Sequence, residues 1–388
     1  MTVRSAPGAG MPSRRSVVRT IGGFAAVAGI GFSGAVSASA PDGLGKLARG
    51  VNLSHWFAQS FEGYGAGHLK TFVTSDDLRL LSEAGFTHVR LGVEPDALFQ
   101  SGDVEPQFVE PVLEALGRAL DMIARAGLAV VVDMHPVGAS KNPLQTPAGA
   151  ATFVARWSKL AGAVAAHPIG AVLEILNEPE PLAGPAWWTL QARALEAIRS
   201  AGAKGPVIAN GGGWSGIDDL VAHTPYDDGA VVYTVHCYAP LLFTHQGATW
   251  TWDVARSIAG LGWPLDRGQA EAASAATSDP RARGFLHDQI ADGSFTASAL
   301  EVQYDRLSHW ARLHGDVPIY VGEFGVYAKT APVAARIAWV RASRRAYEQR
   351  GWGWALWDDS DSFGFRSPGA GRGAIDAAML DALGVGAS

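Results

Sequence analysis

Val172-Leu173-Glu174-Ile175-Leu176 runs straight into Asn177-Glu178-Pro179, and Pro318-Ile319-Tyr320-Val321 runs into Gly322-Glu323-Phe324-Gly325. Each is a short apolar run that reads as a buried strand ending at a carboxylate. A carboxylate there is costly unless something pairs with it or uses it. Two so far apart in sequence face each other only if both strands share one closed sheet. Two facing carboxylates, one acid and one nucleophile, are what cleavage of a glycosidic bond requires.

Outward from these two runs, short β-branched stretches alternate with longer amphipathic ones, the pattern of a parallel sheet. Candidate strands are Ala48–Leu53, Thr87–Gly92, Ala129–His135, Val172–Glu178, Pro206–Asn210, Val231–Tyr238, Pro318–Phe324 and Gly351–Trp357. Helices are expected between them, among them Gln107–Ala126, Pro147–Ala166, Ala186–Ala201, Ala297–Leu313 and Ala331–Arg350. Eight such units fit an α/β fold of the closed (β/α)8 TIM-barrel type, as a single catalytic domain, better than an open doubly wound sheet. Six of the eight candidate strands end on polar or aromatic residues: Arg90, His135, Asn177-Glu178, His236 with Tyr238, Glu323 and Trp357. In a barrel these ends form one face and one pocket; an open sheet would spread them along a line. Asn210-Gly211-Gly212-Gly213 lacks the rest of a nucleotide-binding fingerprint.

A long insertion follows the sixth strand, from Ala239 to about Ser298. It reads as mostly irregular, holds Trp250, Trp252 and Trp263, and is a candidate wall of a substrate cleft.

The 388 residues are 48% hydrophobic and 18% charged, which suits a globular α/β protein with a sizeable core. Residues 1–40 read as a twin-arginine signal peptide and 41–388 as the catalytic domain. Arg14-Arg15 precedes an apolar Gly/Ala-rich run, and Ala38-Ser39-Ala40 offers small residues for cleavage. The expected location is secreted or periplasmic, with no membrane contact in the mature form. Residues 1–40 hold four Arg and neither Asp nor Glu, so the remainder carries 27 Lys+Arg against 37 Asp+Glu, net −10. That charge argues against nucleic acid as a partner. Cys237 is the sole cysteine, and no Cys/His cluster stands at ligand spacing, so neither a metal nor a cofactor is expected.

The chemistry needs a proton donor and an ionised nucleophile. Arg90 is suited to hold Glu323 charged, and Tyr238 to bond it. His135 and His236 are suited to bond sugar hydroxyls or orient the carboxylates, although each His alone reads as structural. Trp357 offers a flat face to a pyranose ring. Gly322 and Gly325 are expected to let the ring approach the backbone. Glu174 reads as an ion-pair partner, Trp352 and Trp354 as packing, and the cluster Asp358, Asp359 and Asp361 as a solvated loop. Trp187 or Trp188, Trp56, Trp214, Trp250 and Trp252 are open candidates for sugar contact.

In these residues the chain resembles glycoside hydrolase family 5, the retaining β-glycanases on a TIM barrel. That family's pattern of Arg, His, Asn-Glu, His-x-Tyr, Glu and Trp is filled by Arg90, His135, Asn177, Glu178, His236, Tyr238, Glu323 and Trp357. The resemblance implies Glu178 as acid/base, Glu323 as nucleophile, Asn177 on the sugar 2-hydroxyl and Trp357 beneath the ring under attack. It implies a β-glucan polysaccharide or oligosaccharide as substrate and endo-β-1,4-glucanase as the first expectation, acting as a monomer. β-1,3-Glucanase, β-mannanase and β-glucosidase-type activities are the alternatives. Arg49-Gly50-Val51-Asn52-Leu53 also looks like the β-1,3 branch. A non-catalytic carbohydrate-binding barrel would have no use for both carboxylates, and a metal-dependent hydrolase would need a His-x-His that Asn52-Leu53-Ser54-His55 does not supply.

Overall fold

The computed structural model describes residues 44–386 apart from 103–104, 266, 361 and 367–374. The signal-peptide reading of residues 1–40 and the reading of Asp361 lie outside the described residues. Eight parallel strands close into a barrel in chain order. They are β1 Arg49–Asn52, β2 His88–Val93, β3 Ala129–Met134, β4 Val172–Glu174, β5 Val207–Asn210, β6 Val231–Cys237, β7 Ile319–Phe324 and β8 Gly353–Leu356. β8 closes the barrel on β1, with Gly50 opposite Ala355.

Side chains alternate across this sheet, which sorts them into two cores. Val130, Val132 and Leu173 face outward into the layer beneath the helices. Val131, Val172, Ile208, Val232, Tyr320 and Ala355 fill the barrel interior. Two residues further along β3 and β4, the inward positions become Asp133 and Glu174. The interior thus turns from apolar to charged toward the C-terminal strand ends.

The outer helices include Glu110–Arg125, Pro147–Ala165, Gly184–Ser200, Ala297–Leu313 and Val333–Gln349. Local chemistry starts and stops them. At Ser75–Ala84, the Thr74 hydroxyl accepts from Asp77 N and the Asp77 carboxylate accepts from Thr74 N, a capping box. Gly85 ends that helix at φ 98°.

Two expectations need correction. The fourth ladder stops at Glu174 rather than Glu178. Beyond it the chain keeps single bonds to its neighbours, Ile175 N to Ile208 O at 3.0 Å and Asn177 N to Met134 O at 2.9 Å, and reaches Glu178 at φ 39°. The insertion is not mostly irregular: it contains the helices Leu241–Thr244, Asp253–Arg256, Arg267–Ala276 and Pro280–Ala291. The last carried a legible signal, since Asp279 caps Arg281 N and Ala282 N and Pro280 opens the first turn. Among the described residues, no helix is long and apolar enough to cross a membrane.

Candidate active site

The strand ends bring all eight expected residues to the C-terminal face of the barrel. At its centre lies Arg90, fully buried on β2. Its guanidinium grips Glu174 with two bonds, Nε at 2.7 Å and Nη2 at 2.8 Å. It also donates to Glu323 Oε1 at 2.9 Å, Asn52 Oδ1 at 2.9 Å and Asn177 Oδ1 at 3.1 Å, and lies 3.0 Å from Asp133. A buried guanidinium is tolerable only when its donors are met in this way.

Glu323 takes donors on both oxygens: Arg90 on Oε1, and the Tyr238 hydroxyl on Oε2 at 2.9 Å. Burial, and then the Glu323 charge, pushes the Tyr238 phenol well above its ordinary range, so it stays a donor. A β-bulge sets this meeting: Val235 pairs with Val321 but His236 pairs with Glu323. Gly322 is therefore the extra residue on β7, and Glu323 turns into the pocket.

Glu178 sits opposite. Its side chain is 19% exposed, and its Oε1 lies 2.9 Å from His236 Nδ1. Burial raises its pKa, opposed chiefly by Lys141. Burial also lowers His236 to about 4, so the ring is neutral near neutral pH. His236 Nε2 is buried with no hydrogen-bond partner, so the ring proton belongs on Nδ1, which donates to Glu178. Glu178, Glu323 and His236 each bring one polar atom within 4.8 Å of the others. Such a trio is close enough to share an ion, but the Arg90 guanidinium already supplies the positive charge on Glu323.

His135 bonds residues other than Glu178 and Glu323. Its Nδ1 is 2.7 Å from Asp133 and its Nε2 3.1 Å from the Gln59 amide, and its ring stacks on Trp357 at 5.8 Å. Burial lowers it to about 3, so Nδ1–H donates to Asp133 and Nε2 accepts from Gln59. Gln59, Asn52, His135 and Trp357 line one small pocket beside Arg90. Asn177 accepts from Arg90 through Oδ1, which leaves its amide nitrogen as the group to offer a sugar hydroxyl.

Other residues differ from expectation. A Cβ on Gly322 would stand 2.7 Å from Thr234 Oγ1 and 3.3 Å from His236, and one on Gly325 would stand 2.4 Å from Trp357 O. These glycines make room for the site's own side chains and backbone, not for a sugar. Asp358 and Asp359 are buried, Asp358 bonded by Ser54 and Asp359 paired with Arg366 at 3.0 Å; they are not a solvated loop. Trp56 and Trp187 are fully buried, and Trp188 packs on His223 at 4.7 Å. Trp214 and Trp250 remain exposed. Sequence reasoning passed over Gln59, Asp133 and Lys141. Of these only Asp133 carried a signal, as a carboxylate inside an otherwise apolar strand.

A closed (β/α)8 barrel with two facing carboxylates at its C-terminal face, one clamped by an arginine and the other desolvated, defines a glycoside hydrolase. The chain belongs to the cellulase family, glycosyl hydrolase family 5, whose sequence model matches residues 49–362. It is 26% identical over 359 residues to endoglucanase 3 of Fibrobacter succinogenes, covering 88% of this chain and 53% of that protein, so it spans about half that relative's length. Endoglucanase C of Acetivibrio thermocellus is 26% identical over 316 residues, 80% of this chain and 90% of the relative. Among solved structures, endoglucanase Cel5A of Thermotoga maritima superposes with a TM-score of 0.72 at 25% identity, over 88% of this chain and 98% of that one.

Proposed function

We propose that this protein is a secreted endo-β-1,4-glucanase that retains anomeric configuration, with Glu323 as nucleophile and Glu178 as acid/base. The observation that carries the reading is the pair itself: one oxygen of each carboxylate lies within 4.8 Å of the other, the separation class of retaining enzymes, whose carboxyl groups stand about 5–5.5 Å apart. The Glu323 oxygen attacks C1 while Glu178 gives its proton to the departing glycosidic oxygen. The glycosyl–Glu323 ester is then hydrolysed by water whose proton returns to Glu178, and C1 ends with its starting configuration. Asn177 bonds the 2-hydroxyl, and His236, kept neutral, orients Glu178. The endoglucanase relatives support a β-glucan substrate, and the Arg14-Arg15 segment supports export in the folded state. Incubation with cellulosic, β-1,3-linked and mannan polymers should release reducing ends fastest from the β-1,4-glucan, as a mixture of lengths. Proton NMR should show the β-anomer first. An initial α-anomer would exclude double displacement, and preference for another polymer would exclude the linkage.

Trp357 is the floor under the ring at the cleavage point in this reading. Trp357→Ala should lower kcat as well as raise KM, at about 2–4 kcal/mol in kcat/KM. Trp250, 59% exposed and edge-on to Tyr327 at 4.8 Å, serves an outer subsite. Its loss should weaken action on polymer and spare a short chromogenic glycoside. Unchanged kcat on the short glycoside for Trp357→Ala would move the cleavage point elsewhere.

A further inference from the structure

Lys141 lies in the 3-10 helix Gly138–Gln145 that follows β3, and it is only 3% exposed. An ammonium taken out of water needs partners, and this one has two. Its Nζ donates to the backbone oxygen of Glu178 at 2.6 Å and to the Glu180 carboxylate at 2.7 Å. Glu180 is tied down in turn, its N–H donating to Gly213 O at 3.0 Å. Between these anchors, Glu178 holds φ 39°, left-handed backbone that a residue with a Cβ seldom adopts unless its surroundings impose it.

We propose that Lys141 is a positioning residue for the proton donor: clamped between the Glu178 carbonyl and the Glu180 carboxylate, it holds the left-handed backbone that turns the Glu178 carboxyl toward Glu323. The proposal rests on the proton-donor reading of Glu178. None of the eight residues of the family pattern supplies this bond.

The clamp also has an electrostatic side. Glu178 is faced by His236 and Tyr238 from β6 and its extension, Glu323 from β7, Arg90 from β2, Asp133 and His135 from β3 and its extension, and Lys141 and Glu180. Among these, Lys141 does most to favour the ionised carboxylate against burial. Burial pushes Glu180 itself up to about 7. Removing the ammonium makes Glu178 keep its proton to higher pH, so the basic limb of kcat/KM moves up. Removing the Glu180 charge while keeping a hydrogen-bond acceptor leaves Lys141 uncompensated, so the limb moves down.

The test is kcat/KM against pH on aryl β-cellobiosides from 2,4-dinitrophenyl to phenyl, for the wild type, Lys141→Met, Glu180→Gln and Glu178→Ala. Lys141→Met should lose about tenfold on the phenyl glycoside, little on the dinitrophenyl one, which needs no proton, and its basic limb should rise by about one unit. Glu180→Gln should shift the limb the other way. An equal loss across the series with the limb unmoved would reduce Lys141 to packing and overturn the proposal. Should Lys141→Met fail to fold by circular dichroism, Glu180→Gln decides: a limb that stays or rises overturns it. Glu178→Ala separates the two claims. A loss that does not grow with leaving-group basicity removes the proton-donor reading itself, and a loss that grows while the other variants stay silent removes only the clamp.

Discussion

Glu323→Ala is expected to abolish turnover of every substrate, by roughly 10⁴- to 10⁶-fold in kcat, because the covalent intermediate has no atom to form on. The vacated space next to Arg90 and Tyr238 should admit a small anion. With an activated β-glycoside and azide, the variant should regain activity and yield the α-glycosyl azide, since the anion attacks from the side where the carboxylate stood. Glu178→Ala with azide should instead yield the β-glycosyl azide, formed from the intermediate on Glu323. Product NMR distinguishes the two. If the α-azide came from the Glu178 variant, the roles of the two carboxylates would be exchanged.

The second large effect is on stability. Arg90→Met should cost about 3–5 kcal/mol, because it leaves buried carboxylates without their cation rather than removing a whole ion pair. Burial already raises Asp133 to about 6 against the pull of Arg90, and it raises Glu174 as well. Without the guanidinium both go higher. An acid whose folded-state pKa is raised binds more protons folded than unfolded, so its contribution to stability falls as pH rises. The deficit of Arg90→Met should therefore be widest at neutral pH and narrow as pH drops through 6 toward the ordinary carboxylate range. Urea midpoints at pH 5 and pH 7.5 measure this. A variant within about 1 kcal/mol of wild type at both would mean that the network is not what holds these carboxylates.

What could be read in advance, and what could not, divides along a physical line. The eight strands were legible because a parallel barrel buries both faces of each strand, so each appears as an apolar run, six of them with a polar or aromatic end. Arg90 and Glu323 fall at such ends. Glu178 does too, although its ladder had already stopped at Glu174. The helices of the insertion were obscured because they are short and bury few residues each, as Ala282 and Leu286 do in Pro280–Ala291. Asp359 reads as solvated because charge in a loop usually is, and Lys141 drew no reading at all; their burial depends on Arg366 and Glu180, partners supplied by other segments of the chain. Gly322 is the instructive case. Its missing side chain was legible, but not what fills the space, because Thr234 and His236 come from the neighbouring strand.

The helical insertion after β6 closes upon itself: Gln246 bonds Leu261 in both directions, and Gly247 N reaches Ala255 O. Several bonds lead outward to the stretch following β7. Tyr327 N reaches Thr244 O at 2.8 Å, Gly260 N reaches Thr330 O at 3.0 Å, and Trp339 Nε1 reaches Ala239 O at 3.0 Å. It thus forms a cassette with its own internal staples, docked against the stretch that leaves β7. Lineages, or protein engineers, could exchange it without rewriting the residues around Arg90 and Glu323. Trp339, through Nε1, and Thr330, whose hydroxyl donates to Gln246 O, bond the insertion with their side chains, and the Tyr327 ring packs against Trp250, so these are the residues a graft would have to carry.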